Sequence, residues 1–154
     1  MNDLNPLSAL LAQSERQRDL ALADRQRAQD ASDGAAAQAT QLREYRRDYE
    51  QRWGAQFREE ARIQLVVCYQ GFIARLTEAI EQQTLSAELA AARLEQATVA
   101  VRGHELQLAS VRRLIERRLV ERRGEAERTD QKQTDELASR MAWSRLATAR
   151  ASEA

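Results

Sequence analysis

The chain has one cysteine, one proline and one histidine in 154 residues, and aromatic side chains make up only 5% of it. A lone thiol, Cys68, excludes an internal disulfide, and Cys68 with the lone His104 forms no cluster that could hold zinc. The proline is Pro6, so ring geometry forbids helix nowhere beyond the first residues. No apolar run approaches the ~18 to 20 residues needed to span a bilayer. The stretch from Met1 to Pro6 also lacks the basic and apolar regions of a targeting segment. A soluble, intracellular protein is therefore expected. Net charge is lacking too: 24 basic residues balance 24 acidic ones, so no overall field draws the chain to nucleic acid or a membrane.

What remains is Ala, Leu, Glu, Gln and Arg, with 31% of residues charged. That balance suits long helices and coiled coils, and large core residues are too few for a compact globule. The expected fold is all-α, a long antiparallel two-helix coiled-coil hairpin with short helices possible near its reversal. Asn5-Pro6 reads as a helix start, with Leu4, Leu7 and Leu11 opening a repeat of three and four. From Gln13 to Gln41 the apolar positions thin to alanines among charges. Larger residues return with Leu42, Tyr45, Tyr49, Trp53 and Phe57, which lie mainly on one face and read as packing residues. Gly34 is a soft spot in helix propensity, Gly54 an interruption, and Thr84 and Ser86 a mild break. From Leu94 to Ile115 the heptad spacing is strict, and after Val120 the chain turns polar.

The two halves mirror each other when one is reversed. That pattern sets Tyr49 against Val101, Leu42 against Leu108, Ala35 against Ile115 and Leu11 near Leu137 and Met141. It gives a single domain, 1–154, with a first arm over about 5–54, a reversal region over about 55–86 and a second arm over about 87–148. The termini then lie together; a parallel dimer of one continuous helix, which would bring identical thin segments against themselves, is the competing geometry.

The stretch from Tyr69 to Gln83 carries two apolar stripes. Tyr69, Phe72, Leu76, Ala79 and Gln83 share one face, and Val66, Ile73 and Ile80 share another about 80° round the helix. Val66, Ile73 and Ile80 are expected to face inward. Phe72, Leu76 and Ala79 are then left largely exposed, as a surface for a partner.

No catalytic site is expected. His104 sits in a heptad position, Cys68 reads as a small buried or half-buried hydrophobe, and Lys132 has no glycine-rich phosphate loop before it. No cofactor and no metal are called for. The cluster Arg112, Arg113, Arg117, Arg118, Arg122 and Arg123 recurs in pairs every five residues, which turns each pair by about 140°. Its charges encircle the helix instead of forming the stripe a nucleic-acid reader would use. They read either as solvated faces or as a basic collar suited to an acidic ring or groove.

Three blocks carry a resemblance: LREYRRDY (Leu42–Tyr49), YQGFIARLTEAIEQQ (Tyr69–Gln83) and EAERTDQKQTDE (Glu125–Glu136). With the chain length and the two-helix layout, they resemble the flagellar export protein FliJ family of bacterial type III secretion. The resemblance implies a non-enzymatic antiparallel coiled coil like the central stalk of rotary ATPases, cytoplasmic and peripherally associated with the inner-membrane export apparatus. It implies association with the hexameric export ATPase, for which the arginine collar is the candidate contact. It also implies contact with the FlhA-type export-gate membrane protein and with export chaperones. The family's gate-contacting surface maps onto Phe72, Leu76, Ala79 and Gln83; a histidine is common in the family where Gln83 stands. The readings from other classes are a structural coiled-coil scaffold, a virulence-type secretion stalk and a nucleic-acid-binding helix.

Overall fold

The structure, a computed structural model, describes residues 4–153. Met1–Asp3, and with them part of the N-terminal stretch read above, lie outside the described residues. Two helices account for nearly all of the rest: α1 (Leu4–Glu59) and α2 (Ile63–Ser152). Among the described residues there is no strand and no non-glycine residue with positive φ. Pro6 falls in the first turn of α1, where its missing amide would have had no helical partner.

The chain reverses within Glu60-Ala61-Arg62. Glu60 N–H still donates to the Gln56 carbonyl at 2.9 Å, and Val66 N–H donates to Arg62 O at 3.0 Å. An Arg62–Glu60 ion pair of 3.1 Å spans the turn. The reversal is thus three residues, not a region reaching to residue 86, and no separate short helix accompanies it. Gly34 and Gly54 are helical, and Thr84 stays in helix with its hydroxyl on the Ile80 carbonyl at 2.8 Å. One glycine in a helix costs only about 1 kcal/mol relative to alanine, which continuous packing along the helix outweighs.

Two compact units divide the molecule. The larger is Ser14–Gln107. In it, α1 and α2 run antiparallel, joined through an unbroken heptad. Every third and fourth residue of α2 from Val66 to His104 is buried or half-buried, as is every third and fourth residue of α1 from Ser14 to Trp53. Val101 (1% exposed) and Ala39 (2%) are its most enclosed apolar side chains. Arg18, Arg25 and Arg46 also occupy inward positions of α1, where a long stem can cover the partner helix while the guanidinium reaches water.

The register differs from the mirrored pairing. Tyr49 packs on Phe72 at 4.5 Å between ring centroids, not on Val101. Ala35 O accepts a hydrogen bond from Gln83 at 3.3 Å, and so does not face Ile115. Leu42 lies with Gln83, not Leu108. The cause is the tight turn: α2 pairs with α1 from its first residues, which shifts every layer.

The smaller unit joins the start of α1 to α2 from Leu108 onward. Leu4, Leu7 and Leu11 are half-buried, Leu108 and Val111 are buried, and Ile115 is half-buried. From Glu116 to Glu153 every described residue is exposed except half-buried Gly124. Leu137 and Met141, each 58% exposed, therefore do not cover Leu11.

Two stability predictions follow from this packing. Ser14 is 2% exposed and its Oγ has no hydrogen-bond partner among the described residues. An orphaned buried hydroxyl costs ~1 to 3 kcal/mol, so Ser14→Ala should raise the thermal midpoint; a fall would mean the hydroxyl is satisfied. Leu76→Ala should lose ~2 to 5 kcal/mol in denaturant unfolding, as a buried truncation does. A loss under ~0.5 kcal/mol would mean that Leu76 is a surface residue.

Candidate partner-binding surfaces

The two stripes of α2 prove to be two sides of one seam. Ile80 is 7% exposed, Leu76 is 8% exposed, and Val66, Tyr69 and Ile73 are half-buried between the helices. The expectation that Leu76 would be exposed is therefore overturned. Alternating steps of three and four place successive inward residues on either side of the contact line, so each side alone looks like a stripe. Phe72 is half-buried rather than largely exposed. Ala79 alone of the three is exposed.

Phe72 and Ala79 flank the seam on one side of α2. There Phe72 meets Tyr49 at 4.5 Å and the edge of Tyr45 at 6.4 Å. Tyr45 is 49% exposed, so an aromatic edge of both helices remains accessible. Beside it runs a shallow groove of about 430 Å³ lined by Gln38, Gln41, Leu42, Tyr45 and Gln83. Half-buried Gln83 spans the helices there, donating to Ala35 O at 3.3 Å and to Gln38 Oε1 at 3.1 Å. Tyr45 and Gln38 were not singled out for this surface by the sequence, because α1's contribution depends on the register. The opposite flank is closed by polar bonds: Arg43 donates to Thr84 Oγ1 at 2.9 Å and Arg46 to Thr77 Oγ1 at 3.4 Å.

Six of the seven aromatic side chains gather next to the turn. Tyr49 stacks on Tyr69 at 5.9 Å, and Phe57 meets Tyr69 edge-on at 5.3 Å. Trp53 lies 6.5 Å from Tyr69. These rings fill one another's faces, leaving no cage for a ligand. Burial, then the nearby Glu50 carboxylate and Tyr49, raise the Tyr69 phenol above its ordinary pKa. Cys68, two residues past Val66, points away from the seam and is exposed, not buried or half-buried as read above. His104 is half-buried at an inward position, beside Ala21 and Ala97.

The six arginines of the collar lie in the smaller unit, and all six are exposed. Arg118 pairs with Glu121 at 3.6 Å, one turn along, in an ion pair open to solvent. Arg112 to Ile115 is the last turn with an inward side chain, and beyond it arginines project on all sides of α2. No helix of the described residues is long and apolar enough to cross a membrane.

Comparison with known families matches residues 2–147 to the flagellar FliJ protein. Comparisons with curated proteins and with solved structures each found no match. A family match over nearly the whole chain, with a two-helix coiled coil beneath it, settles the assignment: the chain belongs to the flagellar FliJ protein family, components of the flagellar export apparatus.

Proposed function

We propose that this chain is a non-enzymatic coiled-coil stalk of the export apparatus. It binds the hexameric export ATPase and the FlhA-type export-gate protein and escorts export chaperones. It works in the cytoplasm, held peripherally at the inner-membrane apparatus through those partners. The observation that carries the reading is the stretch of α2 beyond Ile115, exposed on every side and ringed by arginine at its start. A bare helix with guanidinium groups all round it suits the inside of an acidic ring, where contacts come from several directions at once. Arg112, Arg113, Arg117, Arg118, Arg122 and Arg123 are the proposed ring contacts.

The gate contact is assigned to the accessible flank beside the turn. Phe72 supplies an aromatic edge, Ala79 a small residue over which a partner can approach closely, and Gln83 an amide next to the groove. Leu76 serves this surface from beneath, by holding α2 against α1 so that Phe72 rests on Tyr45 and Tyr49. Tyr45 extends the surface onto α1.

Reversing Arg117, Arg118, Arg122 and Arg123 to Glu should abolish stimulation of ATP hydrolysis by the export ATPase while helicity stays near that of the parent. Stimulation by the parent should weaken as salt rises, because exposed charges are screened within ~8 to 10 Å at 0.1 to 0.15 M. Full stimulation by the reversed variant would remove the collar from the mechanism. For the gate, Ala79→Glu should leave the melting curve within ~0.5 kcal/mol of the parent. Calorimetric titration with the gate's cytoplasmic domain should show at least ~1 to 3 kcal/mol of lost binding. Unchanged binding would move the gate contact elsewhere.

A further inference from the structure

The larger unit carries a second heptad on its outside. Leu85, Leu89, Ala92, Gln96, Val99, Gly103 and Leu106 follow steps of four and three along α2, on the face turned away from α1. Leu85 is 60% exposed, Leu89 62%, Val99 55% and Leu106 70%. Scattered surface leucines need no explanation. Four large apolar residues in one strict row, separated by Ala92, Gln96 and Gly103 and by no charge, form a contiguous strip instead.

We infer that this strip pairs with the same strip of a second copy of the chain, antiparallel, about a two-fold axis beside Gln96. The row is self-complementary when reversed. Leu89 falls opposite Gly103 of the second copy, Ala92 opposite Val99, Leu85 opposite Leu106, and Gln96 meets its own copy. Large residues thus face small ones in the inner layers, and a Cβ built on Gly103 would meet no atom of its own chain within 4 Å, which leaves room for the incoming leucine. A parallel pair would set glycine on glycine and leucine on leucine, so the layers would alternate between gaps and crowding. Charge agrees with the antiparallel choice: Glu88 lies beside Arg102 of the second copy, and symmetry repeats that pair. Glu95 is the one charged group of this face that meets its like across the axis, and it limits the affinity.

From Leu85 to Leu106 the helix runs about 32 Å. Two helices in contact over that length cover several hundred Å² per partner, below the ~800 Å² of a standard interface. The pair is accordingly weak and concentration-dependent, with a dissociation constant in the micromolar range. The inference does not depend on the export partners proposed above.

Sedimentation velocity of the full chain, from low to high micromolar concentration, should show a monomer passing reversibly to a dimer. Leu89→Glu with Val99→Glu should raise the dissociation constant at least ten-fold and leave the monomer's thermal midpoint unchanged, since both side chains are exposed. Glu95→Gln should tighten the dimer. In a Cys68→Ala background, Gln96→Cys should form an interchain disulfide with a mild copper oxidant, while Leu106→Cys alone should not. Leu106→Cys mixed with Leu85→Cys should give the mixed disulfide. A monomer at every concentration, or a dimer unaffected by the paired glutamates, would overturn the proposal. So would self-crosslinking of Leu106→Cys, the mark of a parallel pair.

Discussion

Everything in this molecule depends on the ring contact between Tyr49 and Phe72, because it fixes which layer of α1 meets which layer of α2. The rest of the seam is permissive. Opposite Gln83, Ala35 and Ala39 would tolerate sliding by a heptad, and so would Ala21 opposite Ala97. Bulky rings are not permissive. Tyr45, Tyr49, Trp53 and Phe57 from α1 interlock with Tyr69 and Phe72 from α2, and each such ring pair is worth ~0.5 to 1.5 kcal/mol beyond its buried area. The only other aromatic residue, Trp143, is 72% exposed. Concentrating the rings beside the turn therefore sets the register where the two helices are already held together by the chain, at the smallest entropic cost of closure.

From that register follow the surfaces. Phe72 is brought onto Tyr45, so the accessible flank is made by both helices and not by α2 alone. Leu76 and Ile80 are drawn into the seam, and the outward heptad from Leu85 to Leu106 is turned away from it. The same register leaves α2 from Glu116 onward without inward side chains.

The fold class and the lack of any helix breaker after Pro6 were legible from composition and spacing, and so was the inward role of Tyr49, Trp53 and Phe57, whereas Tyr45, read with them as a packing residue, is 49% exposed. The turn was not, for a physical reason: Glu60-Ala61-Arg62 contains neither glycine nor proline, while Gly54, Thr84 and Ser86, which look like breaks, are helical. Misplacing the turn displaced every cross-helix pairing. The candidate gate surface was half legible. Phe72 and Ala79 do lie on a flank, but Leu76 belongs with Ile73 and Ile80, because inward positions spaced by three and four split into two apparent rows. Cys68 was read as buried or half-buried from its apolar neighbours, whereas its position two residues past Val66 turns it outward. Tyr45 and Gln38, which complete the flank, carry no local signal, since only the pairing of the helices makes them neighbours of Phe72 and Gln83.

The register is the claim on which the remaining conclusions rest, and a distance measurement within single molecules reaches it directly. Spin labels at Gln38 and Ala79, with Cys68 replaced by alanine and the labelled protein diluted in unlabelled chain, should give one short separation. Labels at Arg52 and Ala100 should instead be about 45 Å apart, since Arg52 lies in the Trp53–Tyr69 layer and about 30 residues of helix at 1.5 Å each lie between that layer and Ala100. A short Arg52–Ala100 separation with a long Gln38–Ala79 one would restore the mirrored pairing and contradict the register, the shared flank and the outward strip together.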